Sequence, residues 1–491
     1  MTRNSALLTS LAILGGLIVT LSAQPARSPG EGPPLFATSL PKEEFAARRA
    51  TLLRRIGDGV VVMQGATETS AYEKFRQSNQ FYYLTGVETP RAILVLDGRA
   101  RSTTLYLNPT SEQMERSEGP LLGPGAAAEA LTGIEHVVPR ADFDKAAEGL
   151  AGRTVYTTVR GETVLMGTPD RAAAHARARE TDPWDQRPSR EAWFRTKLSA
   201  RAPGVRFENV DDILDEMRMI KSPREIALLR ESSKIAGLTM MEAMRSAEPG
   251  MYEYEIEAIG DYLFKKHNAI GPAYFGLVAA GKNAAWPHYH AAQAPMKAGD
   301  LVLFDYAPDF HYYTSDVTRM FPASGTFTPD QRELYGIYVK LSHAIMTSIR
   351  PGPAGEILKD VVKKMDAAMA SQAFANVKNR EAATRFVESY RGRLGSPREG
   401  GTLGHMVGME VHDVQKNFTV YEPGMVFTIE PALTIPGDRV YVRLEDMILI
   451  TPTGYENMSG FAPIEIDAVE KLMAEPGIAQ LMRKPTSTAS R

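Results

Sequence analysis

Short apolar runs alternate with amphipathic stretches along most of this chain, and their periods predict an α/β (α+β) protein in two parts. GVVVMQGA (59–66), AILVLD (92–97), TTLYL (103–107) and TVYTTV (154–159) are rich in β-branched residues and read as strands. Helical stretches separate them, so residues 37–206 are expected to form an α/β domain. A second part opens at Ser222-Pro223-Arg224-Glu225, a capping box with proline at the first helical position. Ile226, Leu229, Ile235 and Leu238 then lay down an apolar face at helical spacing, and Pro249-Gly250 stops the helix. Thr328-Pro329-Asp330-Gln331 repeats the start signal and Pro351-Gly352 the stop.

Two apolar runs in this second part end on an acid. LVLF leads into Asp305 and MVFTI into Glu430. The segments AGDLVLFD (298–305) and PGMVFTIE (423–430) share one grammar: a glycine, one residue, a buried-type strand, and an acid six positions after the glycine. AEPGMYEYEIEAI (247–259) and IRPGPAGEILKDV (349–361) share another, a helix stop followed by a new helix. This echo suggests two similar halves facing one another. Between 165 and 206 the chain is dense in Arg, Ala and Pro and reads as an irregular linker, the polar stretch 375–401 reads as an insertion near the cleft, and 476–491 as a disordered tail. The aromatic cluster Phe81, Tyr82 and Tyr83 reads first as core, and second as a cleft or subunit contact.

Composition narrows the class. The chain has 491 residues, 43% hydrophobic and 23% charged, with a net charge of −3, so it is globular in type and has no electrostatic case for nucleic acid. No phosphate-cradling or dinucleotide-binding glycine motif is present. Cysteine is absent, which excludes both a disulfide framework and a lipid-modified cysteine anchor. Arg3 precedes the apolar segment 6–23, which closes in small residues and reads as a signal peptide cleaved after Ser22 or Ala23; an uncleaved membrane anchor is the other reading. The expected organisation is therefore a signal peptide (1–23), a Pro/Gly-rich linker (24–36), an N-terminal domain (37–206), a catalytic domain (207–475) and a tail (476–491), in a secreted or periplasmic protein.

The candidate chemistry sits in the second part. Asp305, Asp316, His405, Glu430 and Glu445 each occupy a separate segment. Any one of them alone is more simply a turn residue, a solvated strand residue or a structural histidine. A carboxylate delivered into a core by a buried strand is costly unless it is paired or binds metal. Asp305 and Glu430 are such cases, and Glu445 after VYVRL is a third. Four carboxylates and one imidazole are what a hydrolytic site needs to hold two divalent ions about 3.5–4 Å apart. A mostly hard-oxygen set suits Mn²⁺, with Co²⁺, Fe²⁺ or Zn²⁺ also compatible.

In order, spacing and local sequence these segments resemble the pita-bread metallopeptidases, in the Xaa-Pro aminopeptidase (aminopeptidase P) and prolidase branch. KFRQSNQFYYLTGVETP (74–90) resembles that family's N-terminal signature, and His405 precedes His412 by seven residues as in its motif. The resemblance implies an N-terminal creatinase/prolidase-type domain followed by a pita-bread catalytic domain. It implies that Asp305, Asp316, His405, Glu430 and Glu445 bind two metals, with Asp316 and Glu445 bridging. It assigns His288 to proton movement near the scissile bond, His412 to substrate contact and the tetrahedral intermediate, Arg443 to orienting the site, and Glu430 to accepting a proton from the nucleophilic water. The implied activity is hydrolysis between an N-terminal residue and a following proline, by attack of a metal-bridging hydroxide. The alternatives are a dipeptide-restricted prolidase and a catalytically silent peptide-binding homologue. A homo-oligomer, dimer or tetramer, is implied too. The chain departs from the family pattern at Gly401, where a histidine is frequent, and at Pro431-Ala432-Leu433-Thr434; His290 reads as a surface residue or a neighbour of the ligands.

Overall fold

The computed structural model describes residues 34–482 apart from Thr69, Ala71, 162–168, 397–402 and Gln415. The apolar segment 6–23 and the departure at Gly401 lie outside the described residues. The four N-terminal strands expected from the pattern form, as Val60–Gln64, Ile93–Asp97, Ser102–Leu107 and Thr154–Thr157. With His136–Pro139 and Arg206–Asn209 they build one six-stranded sheet, in which Val60–Gln64 lies between Ile93–Asp97 and Thr154–Thr157. Pairing with Ile93–Asp97 is antiparallel (Val60 opposite Asp97), and with Thr154–Thr157 parallel (Val60 opposite Val155).

Period-two alternation assigns the faces. Val61 and Met63 point into the main core with Phe45 and Leu52 of the helix Lys42–Ile56, while Val60 and Val62 join a second core with Phe143, Leu198 and Ala202. The second face needs a cover, and Arg190–Arg201, within the stretch expected to be irregular, supplies part of it through Phe194 and Leu198. Pro169–Thr181 and Arg190–Arg201 are helices, the latter capped by the Ser189 side chain, which accepts from Ala192 N at 3.1 Å. Arginines on the solvent side mask the apolar spacing that Leu198 and Ala202 carry.

Both capping boxes form, starting the helices Pro223–Ser246 and Pro329–Met346. The two strand-plus-acid segments become Leu301–Asp305 and Val426–Ile429, each the partner of an antiparallel strand: Asp305 lies opposite Thr318, and Ile429 opposite Asp446. A bridge between Thr318 and Glu445 joins the two halves, with Glu445 N donating to Thr318 O at 3.1 Å. The stretch expected as an insertion contains the helix Val377–Arg391, which buries Ala382, Phe386 and Tyr390 and so belongs to the packed domain. The tail also begins as structure: the short helix Ile478–Leu481 has Ile478 N donating to Glu242 Oε1 at 2.5 Å and Ala479 N to Ser246 Oγ at 3.3 Å.

The N-terminal aromatic segment is core, and it also packs against the catalytic half of the same chain. Phe81, Tyr82 and Tyr83 are buried, and Tyr82 stacks on Tyr312 of the catalytic half at 3.6 Å. Arg76 pairs with Asp309 at 2.6 Å, and Asn79 Nδ2 donates to Glu410 Oε1 at 3.2 Å. The first two contacts fasten the N-terminal domain to the segment between Asp305 and Asp316, and the last to the loop that carries His412.

Candidate metal centre

The site is assembled from strand ends. Asp305 closes Leu301–Asp305, Asp316 precedes Thr318–Pro322, Glu430 follows Val426–Ile429, and Glu445 lies between Val440–Arg443 and Asp446–Thr451. His405 arrives on a loop laid against strand Val426–Ile429, with Thr428 N donating to His405 O at 2.9 Å. Gly404 permits this approach, because a Cβ there would lie 1.6 Å from Thr428 O.

All five residues converge. Ligand atoms of Asp305, Asp316 and Glu445 lie within 4.8 Å of one another, as do those of His405, Glu430 and Glu445, and those of Asp316, His405 and His412. The groups overlap at Asp316, Glu445 and His405. Sequence spacing did not reveal the neutral residues that hold them. Glu445 accepts from Thr318 Oγ1 at 2.7 Å and from Thr428 Oγ1 at 2.9 Å. Tyr274 Oη lies 2.6 Å from Asp305 Oδ1 and 2.8 Å from Asp316 Oδ1. Tyr338 bridges two site strands, its Oη donating to Pro431 O at 2.5 Å and accepting from Leu444 N at 2.7 Å. Arg319 clamps the same region, donating to Glu445 O at 2.8 Å and Asp446 Oδ1 at 2.7 Å. A neutral tyrosine or threonine carries no charge pattern that would flag it along the chain.

Arg443 donates to Asp305 Oδ2 and lies 3.5 Å from Glu430 Oε2. His412 stacks face to face on His405 at 3.8 Å, and its neighbour Asp413 is buried between Arg218 at 2.5 Å and Lys221 at 2.9 Å. His288 stands apart from the ligand groups, exposed on the loop after Gly281–Ala285, where the charges of Glu430 and Arg443 reach it. Arg171, on the helix Pro169–Thr181, acts on both His288 and His412 and was not anticipated. His290 is exposed, with its ring 4.6 Å from that of Phe275.

The electrostatics are those of a cluster short of positive charge. Burial raises Asp305 to about 7, opposed by Arg443 and reinforced by Asp316. Glu445 is pushed well above the usual carboxylate range, by burial first and then by Asp316, Glu430 and Asp305. Burial would also raise Asp316 and Glu430, but His405 holds both below that range. His405 is raised well above its ordinary value, burial being outweighed by Asp316 and Glu430. His412 is pushed down to about 4 by the protein packed around its ring and then by His405, although an edge of the ring stays open to solvent.

The residues fit divalent metal. His405 Nδ1 lies 3.2 Å from Met406 O, which leaves Nε2 as the ligating nitrogen. Nε2 is buried and lacks a well-aligned hydrogen bond, though Glu430 Oε1 is 3.1 Å away and Asp316 Oδ2 3.5 Å. Buried Asp305 and Glu445, which ionise only with difficulty, beside an imidazole nitrogen without a well-aligned hydrogen bond, are what a cation would satisfy.

Comparison with known proteins agrees with this geometry. Residues 227–452 match the model of metallopeptidase family M24, and residues 45–157 match the aminopeptidase P N-terminal domain. The Xaa-Pro aminopeptidase of Escherichia coli K12 is 29% identical over 458 residues, 89% of this chain and 98% of the relative. Xaa-Pro aminopeptidase 1 of Streptomyces coelicolor is 30% identical over 462 residues, 88% of this chain and 87% of the relative. Among solved structures, E. coli aminopeptidase P with the inhibitor Pro-Leu superposes with a TM-score of 0.70 at 27% identity, covering 89% of this chain and 98% of that one. The buried ligand cluster, the order of its strands and the N-terminal domain fastened to it thus have one common source: the chain belongs to metallopeptidase family M24, in the branch that carries the aminopeptidase P N-terminal domain.

Proposed function

We propose that this protein is a metal-dependent Xaa-Pro aminopeptidase, hydrolysing the bond between an N-terminal residue and a following proline. The observation that carries this reading is the complete ligand set in one buried cluster, within a chain that also bears the aminopeptidase P N-terminal domain. Asp305, Asp316, His405, Glu430 and Glu445 would together hold two divalent ions, and Mn²⁺ would suit their hard-oxygen donors. Bound ions of this kind supply Lewis acidity and make water acidic enough to react near neutral pH.

The chain's own groups divide the remaining work. Glu430 is the carboxylate placed to accept a proton from the attacking water: its side chain is 27% exposed, against 5% for Asp305 and 7% for Asp316, so it faces the cleft. Arg443 holds Asp305 and Glu430 in place. His288 and His412 both have depressed basicity and are neutral at pH 7, so each imidazole donates one N–H and accepts at its other nitrogen. In this reading His412 contacts the substrate carbonyl oxygen and His288 moves the proton toward the leaving nitrogen.

The test is hydrolysis by protein stripped with chelator and reloaded with Mn²⁺, using an Xaa-Pro dipeptide and an Xaa-Pro-led pentapeptide. Cleavage of the pentapeptide supports an aminopeptidase, and cleavage of the dipeptide alone makes the protein a prolidase. An Asp316→Ala variant that keeps full activity would sink the two-metal reading. Export through the segment 6–23 is a further part of the proposal, checked by the N-terminal residue of the mature protein. Homo-oligomerisation is another, supported by Trp286 and Phe275, each 52% exposed, and checked by light scattering.

A further inference from the structure

On the second face of the N-terminal sheet, away from the metal ligands, lies a cavity of about 600 Å³, within the range of small-molecule sites. Its apolar lining is Ile93, Phe143, Phe194 and Leu198, all part of the second core or packed against it. Its polar lining is strongly one-sided. Arg91, Arg140, Arg190, Lys197 and Arg201 all line it, and Asp144 is the one acid among the lining residues.

Neighbouring groups hold these cations in position without neutralising all of them. Arg201 pairs with Asp144 at 2.9 Å, and Arg91 with Glu68 at 2.5 Å. Arg190 Nη2 donates to Gly65 O at 2.6 Å, and Arg140 Nε to Arg91 O at 2.8 Å, both backbone carbonyls. Arg140 has no carboxylate partner among the described residues. Nor has Lys197, whose ammonium sits 4.4 Å from the centre of the Trp193 ring. The Arg140 guanidinium, anchored through Nε, keeps further N–H groups available to an anion, and a cleft of one sign focuses its field on whatever enters.

We propose that this cavity binds an organic anion, a carboxylate or phosphate carried on a flat apolar body, at a site distinct from the metal centre. The cations recognise the charge. The Phe143, Trp193 and Phe194 rings and the two aliphatic side chains take the body, which inorganic phosphate alone lacks and which the cavity is large enough to hold. No lining residue belongs to the ligand cluster, so the site stands whether or not the peptidase reading holds.

Trp193 provides the readout, being one of three tryptophans in the chain. The full protein is titrated at fixed ionic strength with AMP, phthalate, adenosine and inorganic phosphate, following tryptophan quenching and, in parallel, calorimetry. Expected are saturable binding of AMP or phthalate, binding at least about tenfold weaker for adenosine and for phosphate, and loss of the quenching signal in Trp193→Phe. The tighter of AMP and phthalate identifies a phosphate or a carboxylate as the natural charge. An Arg140→Gln/Lys197→Gln double variant should bind about tenfold more weakly while cleaving its peptide substrate at the wild-type rate. Raising NaCl should weaken binding to the unmodified protein, which tests the charge term should the variant fail to fold. Absence of saturable binding by both AMP and phthalate overturns the proposal, as do equal affinity for phosphate and AMP, and binding insensitive both to salt and to the double substitution.

Discussion

Removing a single hydroxyl, in Thr428→Val, should separate metal binding from folding. Thr428 is fully buried, and its Oγ1 donates to Glu445 Oε1 at 2.9 Å. Without metal, burial and the neighbouring carboxylates hold Glu445 well above the ordinary carboxylate range, which weakens the charge on the acceptor of this bond. With metal bound the carboxylate must be ionised, and the same bond becomes charge-assisted. The full loss therefore falls on the metal-loaded form. A hydrogen bond to a charged group contributes about 1.5–3 kcal/mol, against about 1 kcal/mol for a neutral pair. Their difference, together with the carboxylate's loss of alignment, predicts metal affinity about 10- to 100-fold weaker, the range typical of residues that orient metal ligands. Chain stability without metal should change by about 1 kcal/mol or less. Competition with a fluorescent chelator for Mn²⁺ at pH 7.5, and thermal unfolding of the chelator-treated protein, measure the two quantities separately. Unchanged metal affinity would refute this coupling, as would a metal-free protein that loses several kcal/mol while affinity holds.

Metal uptake should release protons at pH 6, because Asp305 is raised to about 7, Glu445 and His405 are raised as well, and all three must be bare to ligate; affinity should fall as pH falls. Calorimetry in buffers of different ionisation enthalpy measures the release, and uptake without any proton release would contradict the assignment. Gly404→Ala places a Cβ 1.6 Å from Thr428 O, so the His405 loop must lift from its strand; the expected outcome is loss of metal binding and of roughly 2 kcal/mol or more of stability, read by metal content and denaturant unfolding. Tyr338→Phe leaves Pro431 O and Leu444 N without their shared partner, which should lower stability by about 1–3 kcal/mol and reduce kcat at saturating Mn²⁺; unchanged unfolding would show that the hydroxyl does not hold the strands.

What the sequence by itself determined is local or strongly patterned. Ser222 with Glu225 and Thr328 with Gln331 start their helices because a capping box is closed within three residues. The strands before Asp305 and Glu430 were legible because an apolar run carries its terminal acid into the core, where an ionised group is costly unless it is paired or binds metal. The five ligand candidates and their order stood out on the same physical ground. Arginine-rich helices such as Arg190–Arg201 were hidden, since their few apolar positions signal a helix only once a sheet face exists to be covered.

Only the tertiary structure decided how the ligands are held. Arg443 meets Asp305 across 138 residues, Thr318 meets Glu445 across 127, and Tyr338 meets Leu444 across 106. The charge of Arg171, on a helix of the other domain, reaches the histidines. These partners leave no local trace, because chain folding rather than spacing creates the contact. The protonation of the cluster is decided the same way: a carboxylate reads alike at 305, 316, 430 or 445 until burial and the nearest cation set Asp305 and Glu445 above the ordinary range and Asp316 and Glu430 below it.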